Sequence, residues 1–214
     1  MLRAIHDRLF EAYGPQHWWP AQTALEVVVG AILTQNTAWR NVERAIAALR
    51  NGNLLDWTAL RNLPIEQLEA LIRPAGTYRI KAARLRAFVD TLWNEHGGSL
   101  VRLLDADLNA ARRRLLSIHG IGPETADAIL LYAGHRASFV VDAYTKRLLR
   151  RHHLIGHQAG YDEVRNMFHE ALPADAARFN EYHALLVEVG KRHCRALAEC
   201  DGCPLASFPH DPGL

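Results

Sequence analysis

The sequence predicts an all-α fold, and three observations carry that prediction. Apolar residues recur at three- and four-residue spacing along most of the chain. Helix-starting and helix-stopping residues bracket the periodic segments. No segment alternates apolar and polar residues between hairpin turns, as half-buried strands do. Ile5, Leu9 and Tyr13 share one face of a first helix. Leu25, Val28, Val29, Ile32 and Leu33 follow the i, i+3, i+4 pattern behind Thr23, an N-cap candidate. A third helix runs from Trp39 to Leu49 and stops at Asn51-Gly52-Asn53. Pro64 opens a short helix that ends before Pro74. Residues 78–96 read as a long amphipathic helix with Ile80, Leu85, Phe88 and Leu92 on one face, closed by Gly97-Gly98. Later helices fit 107–117, 123–133, 142–153, 160–171 and 175–190.

The composition excludes several classes. Of 214 residues, 49% are hydrophobic and 22% charged, which is globular usage and not that of a disordered chain. The length suits one large domain or two small ones, and no Ser/Gly linker or repeat marks a boundary. A net charge of +2 excludes binding by bulk charge, so a nucleic-acid site would be a local patch. The first residues carry charges throughout and lack a leader's apolar stretch. The longest apolar run, 27–33, is too short to span a bilayer. The expectation is a soluble, cytoplasmic protein with no membrane partner.

The most informative stretch runs from Leu115 to Asp142. Ile118-His119-Gly120-Ile121-Gly122-Pro123 joins two amphipathic helices by a tight turn. Gly120 and Gly122 can take positive φ and let another backbone come close. Pro123 suits a first helical turn, whose free N–H groups and dipole attract an anion such as a phosphate diester. A plain helix–helix turn with a capping glycine is the ordinary alternative. An apolar run then leads to Val140-Val141-Asp142, an acid poorly placed for a solvated surface charge. Asp142 also suits the N-cap of the next helix, and the two roles are compatible.

Together, Gly-Ile-Gly-Pro-Glu-Thr-Ala, the trailing Val-Val-Asp and the late cysteines resemble the helix-hairpin-helix DNA glycosylases of the endonuclease III superfamily, from about Leu25 to Cys203. The resemblance implies two helical domains with double-stranded damaged DNA bound across the cleft. Residues 22–134 would form a helical barrel carrying the hairpin, at about 108–133, and residues 1–21 with 135–214 the second domain. Asp142 matches the family's catalytic aspartate. A carboxylate suits the reaction, because breaking an N-glycosidic bond develops positive charge on the sugar. Gly120, Gly122 and Thr125 of the hairpin would lie against DNA. Gln35 matches the glutamine that fills the gap left by a flipped base. Thr77 stands where the family often places an apolar wedge, with Tyr78 or a neighbour as a substitute.

Two features bear on the branch. Bifunctional members carry a Schiff-base lysine in the hairpin, and Glu124 stands at that position here, so weak or absent lyase activity is expected. Trp18 and Trp19 are unusual before a helix; they either plug a core edge or form a wall for an electron-poor base. The blocks WWPAQTALEVVVGAILTQNTAW, IRPAGTYRIKAARL and GIGPETADAILLY are similar to the 3-methyladenine DNA glycosylase III branch. That resemblance places Trp18, Trp19 and Trp39 in a base pocket and favours alkylated purines, acted on by a monomer. The other readings are a bifunctional enzyme for oxidised pyrimidines and a non-catalytic DNA-binding module.

Cys194, Cys200 and Cys203 make an odd, clustered set, typical of iron–sulfur or zinc sites rather than disulfides. The superfamily's [4Fe–4S] loop has four cysteines spaced C-x6-C-x2-C-x5-C. Here the first gap is one residue short and Pro209 takes the fourth place. The expectation is a cluster with its fourth ligand open, His210 or His193 being candidates. Two basic runs, Arg112 to Arg114 and Lys146, Arg147, Arg150 and Arg151, flank the proposed DNA site. They read as phosphate contacts, foremost Lys146 and Arg147, or as solvated helix faces.

Overall fold

The computed structural model describes residues 1–18 and 21–214. Twelve α-helices account for most of the described chain, and the only β-type pairing among those residues is an isolated bridge between Cys194 and Ala198. The chain divides into two compact units, Ala21–Gly134 and a discontinuous one made of Met1–Pro20 with His135–Leu214.

The continuous unit is built on α2 (Ala24–Leu33). Every residue from Leu25 to Leu33 is buried, so α2 is a central helix rather than an amphipathic one. Thr23 caps it by accepting from the Glu26 N–H. Buried Glu26 is offset by Arg50, whose Nη2 lies 2.7 Å from its carboxylate. The unit's other helices are α3 (Trp39–Asn51), α4 (Trp57–Asn62), α5 (Ile65–Leu71), α6 (Tyr78–His96), α7 (Leu100–Leu104), α8 (Leu108–Ser117) and, packed on α2 like α3 and α6, α9 (Pro123–Ala128). The last continues as a π-helical turn over Ile129–Ala133.

On α6, one expectation is inverted. Leu85, Phe88 and Leu92 are buried, but Ile80 is 55% exposed while its neighbour Lys81 is buried. Lys81 Nζ donates to the carbonyls of Leu33 and Ala75, at 2.8 and 2.6 Å, satisfying helix-end acceptors that have no intrahelical partner. Those long-range acceptors turn the cation inward and leave the apolar neighbour in water.

In the discontinuous unit, α1 (Leu2–Tyr13), α10 (Ala143–Arg151) and α11 (Tyr161–Ala171) accompany α12 (Ala176–Arg192). Its core is aromatic: Phe139 stacks on Phe168 with centroids 3.6 Å apart and meets Phe179 and Tyr182 edge-on. Tyr182 Oη donates to the Leu2 carbonyl at 2.8 Å, tying the first helix to the last. Burial raises the Tyr182 phenol's pKa well above its ordinary value, so it stays a protonated donor. No helix among the described residues is long and apolar enough to cross a membrane.

Candidate active site

The hairpin of the continuous unit joins α8 to α9. Gly120 has φ +82°, where only glycine is unstrained, and a Cβ there would run into the Arg84 side chain. Gly122 differs from the expectation. Its φ is −90°, so no positive φ is needed, and a Cβ would meet nothing within 4 Å. Gly120 is thus required by its conformation and by Arg84, whereas Gly122 presents an open surface.

Gln35, beyond the end of α2, is anchored to this hairpin. Its Nε2 donates to Thr125 Oγ1 at 2.9 Å and to the Gly120 carbonyl at 3.2 Å, and Arg84 Nη1 donates to its Oε1. Thr125 is buried, with its hydroxyl engaged by Gln35. Glu124 is exposed. Of the flanking arginines, Arg112 forms a bidentate pair with fully buried Asp127, and Arg114 donates to the carbonyls of Leu103 and Asp105. Arg113 is exposed. Thr77 is exposed in the left-handed region, at φ +31°, just ahead of α6. Exposed Ile80, one turn on, is an apolar candidate that helical periodicity had assigned to the core. Trp39 is half-buried at the start of α3.

In the discontinuous unit, Asp142 caps α10. Its Oδ1 accepts from both the backbone N–H and the hydroxyl of Thr145, each at 2.8 Å. Two donors on one oxygen fix the carboxylate and leave Oδ2 for other work. The side chain is 15% exposed, and Oδ2 lies 3.7 Å from Nε2 of buried His183 on α12. Burial lowers the His183 pKa, with Asp142 opposing the shift. Sequence reasoning missed His183, since no motif marks one histidine among 12. Its spacing from Phe179, Tyr182 and Leu186 would have put it on the buried face.

Trp18 is half-buried, with Lys191 Nζ 5.2 Å from its ring centroid. Trp19 lies outside the described residues. The basic run on α10 holds backbone: Lys146 donates to the Ala159 carbonyl, Arg147 to that of Cys194 and Arg150 to that of His157. Arg151 is buried; it bonds the carbonyls of Arg195 and Ala196 and reaches Cys194 Sγ at 3.2 Å.

Cys194, Cys200 and Cys203 line one pocket together with His152, His193 and His210. Burial pushes the Cys203 thiol up, and both other thiols are near enough to push it further. His210 Nδ1 faces the Phe208 carbonyl at 2.8 Å. A carbonyl only accepts, so Nδ1 is the donor in this contact. The pocket thus gathers three thiols and the His210 imidazole beside the buried Arg151 guanidinium. Among the described residues, however, no three donors converge as ligands of a single ion would.

Residues 29–174 match the family described as HhH-GPD superfamily base excision DNA repair protein. MJ1434 of Methanocaldococcus jannaschii, named provisionally as a DNA repair glycosylase, is 49% identical over 209 residues, covering 97% of this chain and 95% of the relative. The Helicobacter pylori (H.pylori) 3-methyladenine DNA glycosylase, solved bound to 1,N6-ethenoadenine, is 27% identical with a TM-score of 0.75, covering 89% of this chain and 95% of that one. An endonuclease III–DNA complex shares the fold at a TM-score of 0.84, with 20% identity and coverage of 99% and 94%. The chain belongs to the HhH-GPD superfamily of base excision repair proteins and is a DNA glycosylase of endonuclease III-like fold.

Proposed function

We propose that the protein is a monofunctional glycosylase that hydrolyses the N-glycosidic bond of alkylated purines, chiefly 3-methyladenine, in double-stranded damaged DNA, acting as a monomer. The observation that carries this reading is the placement of the lysines. There are three in the sequence. Lys81 is buried against two carbonyls, Lys146 is held by Ala159, and Lys191 lies over Trp18. The hairpin offers Glu124 where an imine-forming amine would stand, and a carboxylate cannot form an imine.

In this reading Asp142 Oδ2 faces the sugar of the flipped nucleotide. It stabilises the positive charge that grows as the glycosidic bond breaks, or takes a proton from the attacking water. Gln35 leaves its hairpin tether to pair with the orphaned base. Gly120 and the open Gly122 admit the DNA backbone, Thr125 positions Gln35, and Lys146 and Arg147 add positive charge for phosphates. Ile80, with Thr77 and Tyr78, supplies the wedge. Trp18, Trp19 and Trp39 hold the base. A methylated purine carries positive charge, and the Trp18 face already attracts one cation. The adduct bound by the Helicobacter pylori relative, a modified adenine, supports a purine substrate.

The cysteine pocket is assigned to a [4Fe–4S] cluster, held by Cys194, Cys200 and Cys203 with His210 as the fourth ligand. A tetrahedral zinc site at about 2.3 Å per sulfur would draw the thiolates within about 4 Å of one another. A cluster accepts a wider ring of donors. Its contribution when bound is to brace the C-terminal loop.

The substrate is tested by supplying duplexes carrying either methylated purines or thymine glycol, with borohydride present in parallel reactions. Release of 3-methyladenine without a trapped covalent adduct is expected. Adduct trapping, or release confined to the oxidised pyrimidine, would overturn the reading.

A further inference from the structure

We propose that His183 is a positioning residue for Asp142, holding the reactive oxygen of the carboxylate through a neutral N–H donor. The inference rests on the catalytic reading of Asp142 given above.

The two oxygens of Asp142 have different environments. Oδ1 is saturated by the Thr145 N–H and hydroxyl. Oδ2, left for chemistry, has the His183 ring 3.7 Å away, with side chains 6% and 15% exposed for His183 and Asp142. That separation is one small adjustment from a hydrogen bond, and such contacts commonly tighten when substrate binds. His183 sits on α12 between core residues Tyr182 and Ala184, and Phe139 meets its ring edge-on at 6.5 Å. The ring is therefore held by packing, and a small rotation of the carboxylate about its anchored Oδ1 brings Oδ2 to it.

The residue type matters. An arginine or lysine here would form an ion pair and offset the negative charge that the developing sugar cation requires. Burial disfavours the imidazolium form of His183, so the ring orients Oδ2 without neutralising it. A histidine in a fixed aromatic wall combines a directional donor with zero net charge.

The test compares four full-length proteins on a methylated duplex under single-turnover and steady-state conditions: wild type, His183→Phe, His183→Gln and Asp142→Asn. His183→Phe keeps ring shape and removes the donor; kcat should fall by about tenfold or more while KM stays within about twofold. His183→Gln restores a neutral donor and should recover part of that loss. Thermal melting identifies any variant that fails to fold, and His183→Gln keeps the test decisive if His183→Phe does so. Wild-type kcat in His183→Phe would overturn the inference. So would an equal loss in folded His183→Phe and His183→Gln, or, if only the latter folds, a loss as deep as that of Asp142→Asn. If Asp142→Asn itself keeps full activity, the catalytic reading of Asp142 fails and this inference fails with it. A dead Asp142→Asn beside a fully active His183→Phe sinks the inference alone.

Discussion

Gln35 donates to Thr125 Oγ1 at 2.9 Å, so the residue that would fill an emptied base stack is moored to the hairpin that would grip the DNA backbone. Arg84 completes the mooring by donating to Gln35 Oε1, and its alkyl chain lies where a Gly120 Cβ would be. Replacing Thr125 with valine keeps the shape and removes the acceptor. A loss of about 1 kcal/mol in folding stability is expected, read as a lower urea midpoint with unchanged m. An unchanged midpoint would mean that the bond contributes nothing.

The two hairpin glycines should respond differently to alanine. At φ +82° and against Arg84, Gly120→Ala should cost about 2 kcal/mol or more. Gly122→Ala, at φ −90° in open space, should stay within about 0.5 kcal/mol of wild type yet weaken duplex binding. Denaturation and DNA titration of the same samples check both. Equal stability losses would contradict the assignment.

Ile80 and Lys81 form a second contrasting pair. Lys81→Met strands two buried helix-end carbonyls and should destabilise by about 1–3 kcal/mol. Ile80→Ser removes a side chain that is 55% exposed and should leave stability within about 0.5 kcal/mol while lowering the rate of base excision. Excision at the wild-type rate by Ile80→Ser would exclude it as the wedge.

These positions show what the sequence carried. The apolar period of α2 and the breakers around α3, α5 and α6 were legible because local spacing and turn residues set them. The short α4 and α7, of six and five residues, are below the length at which a 3.6-residue period can be read. Ile80 was misplaced because the Lys81 partners, Leu33 and Ala75, are remote or belong to another turn. The hairpin and Asp142 announce themselves by motif. His183 has no motif, and its meaning comes only from the residue it faces. The basic run was visible as charge, but its internal carbonyl partners were not.

His183 also makes stability depend on pH. Its pKa in the folded chain is lowered by burial, so between that value and the ordinary one near 6.5 the unfolded chain binds more protons. Stability therefore rises with pH through this window, and the penalty grows as pH falls below about 6.5. Urea unfolding at pH 7.5 and pH 5.5 should show a smaller difference in His183→Gln than in wild type. An identical difference would contradict the buried, neutral assignment.

If Cys194, Cys200 and Cys203 hold a cluster, anaerobically purified protein is yellow-brown with about four irons per chain. Cys200→Ser and His210→Ala should lower iron content and broad visible absorption together. A colourless protein with about one zinc would replace the cluster by a single-ion site.

The most direct measurement is mass-spectrometric identification of the free bases released from a methylated duplex by wild type and Asp142→Asn. The account predicts 3-methyladenine as the main product of the wild type, and a loss of at least about 100-fold in rate with asparagine. No released 3-methyladenine from the wild type, or equal release by both proteins, would contradict it.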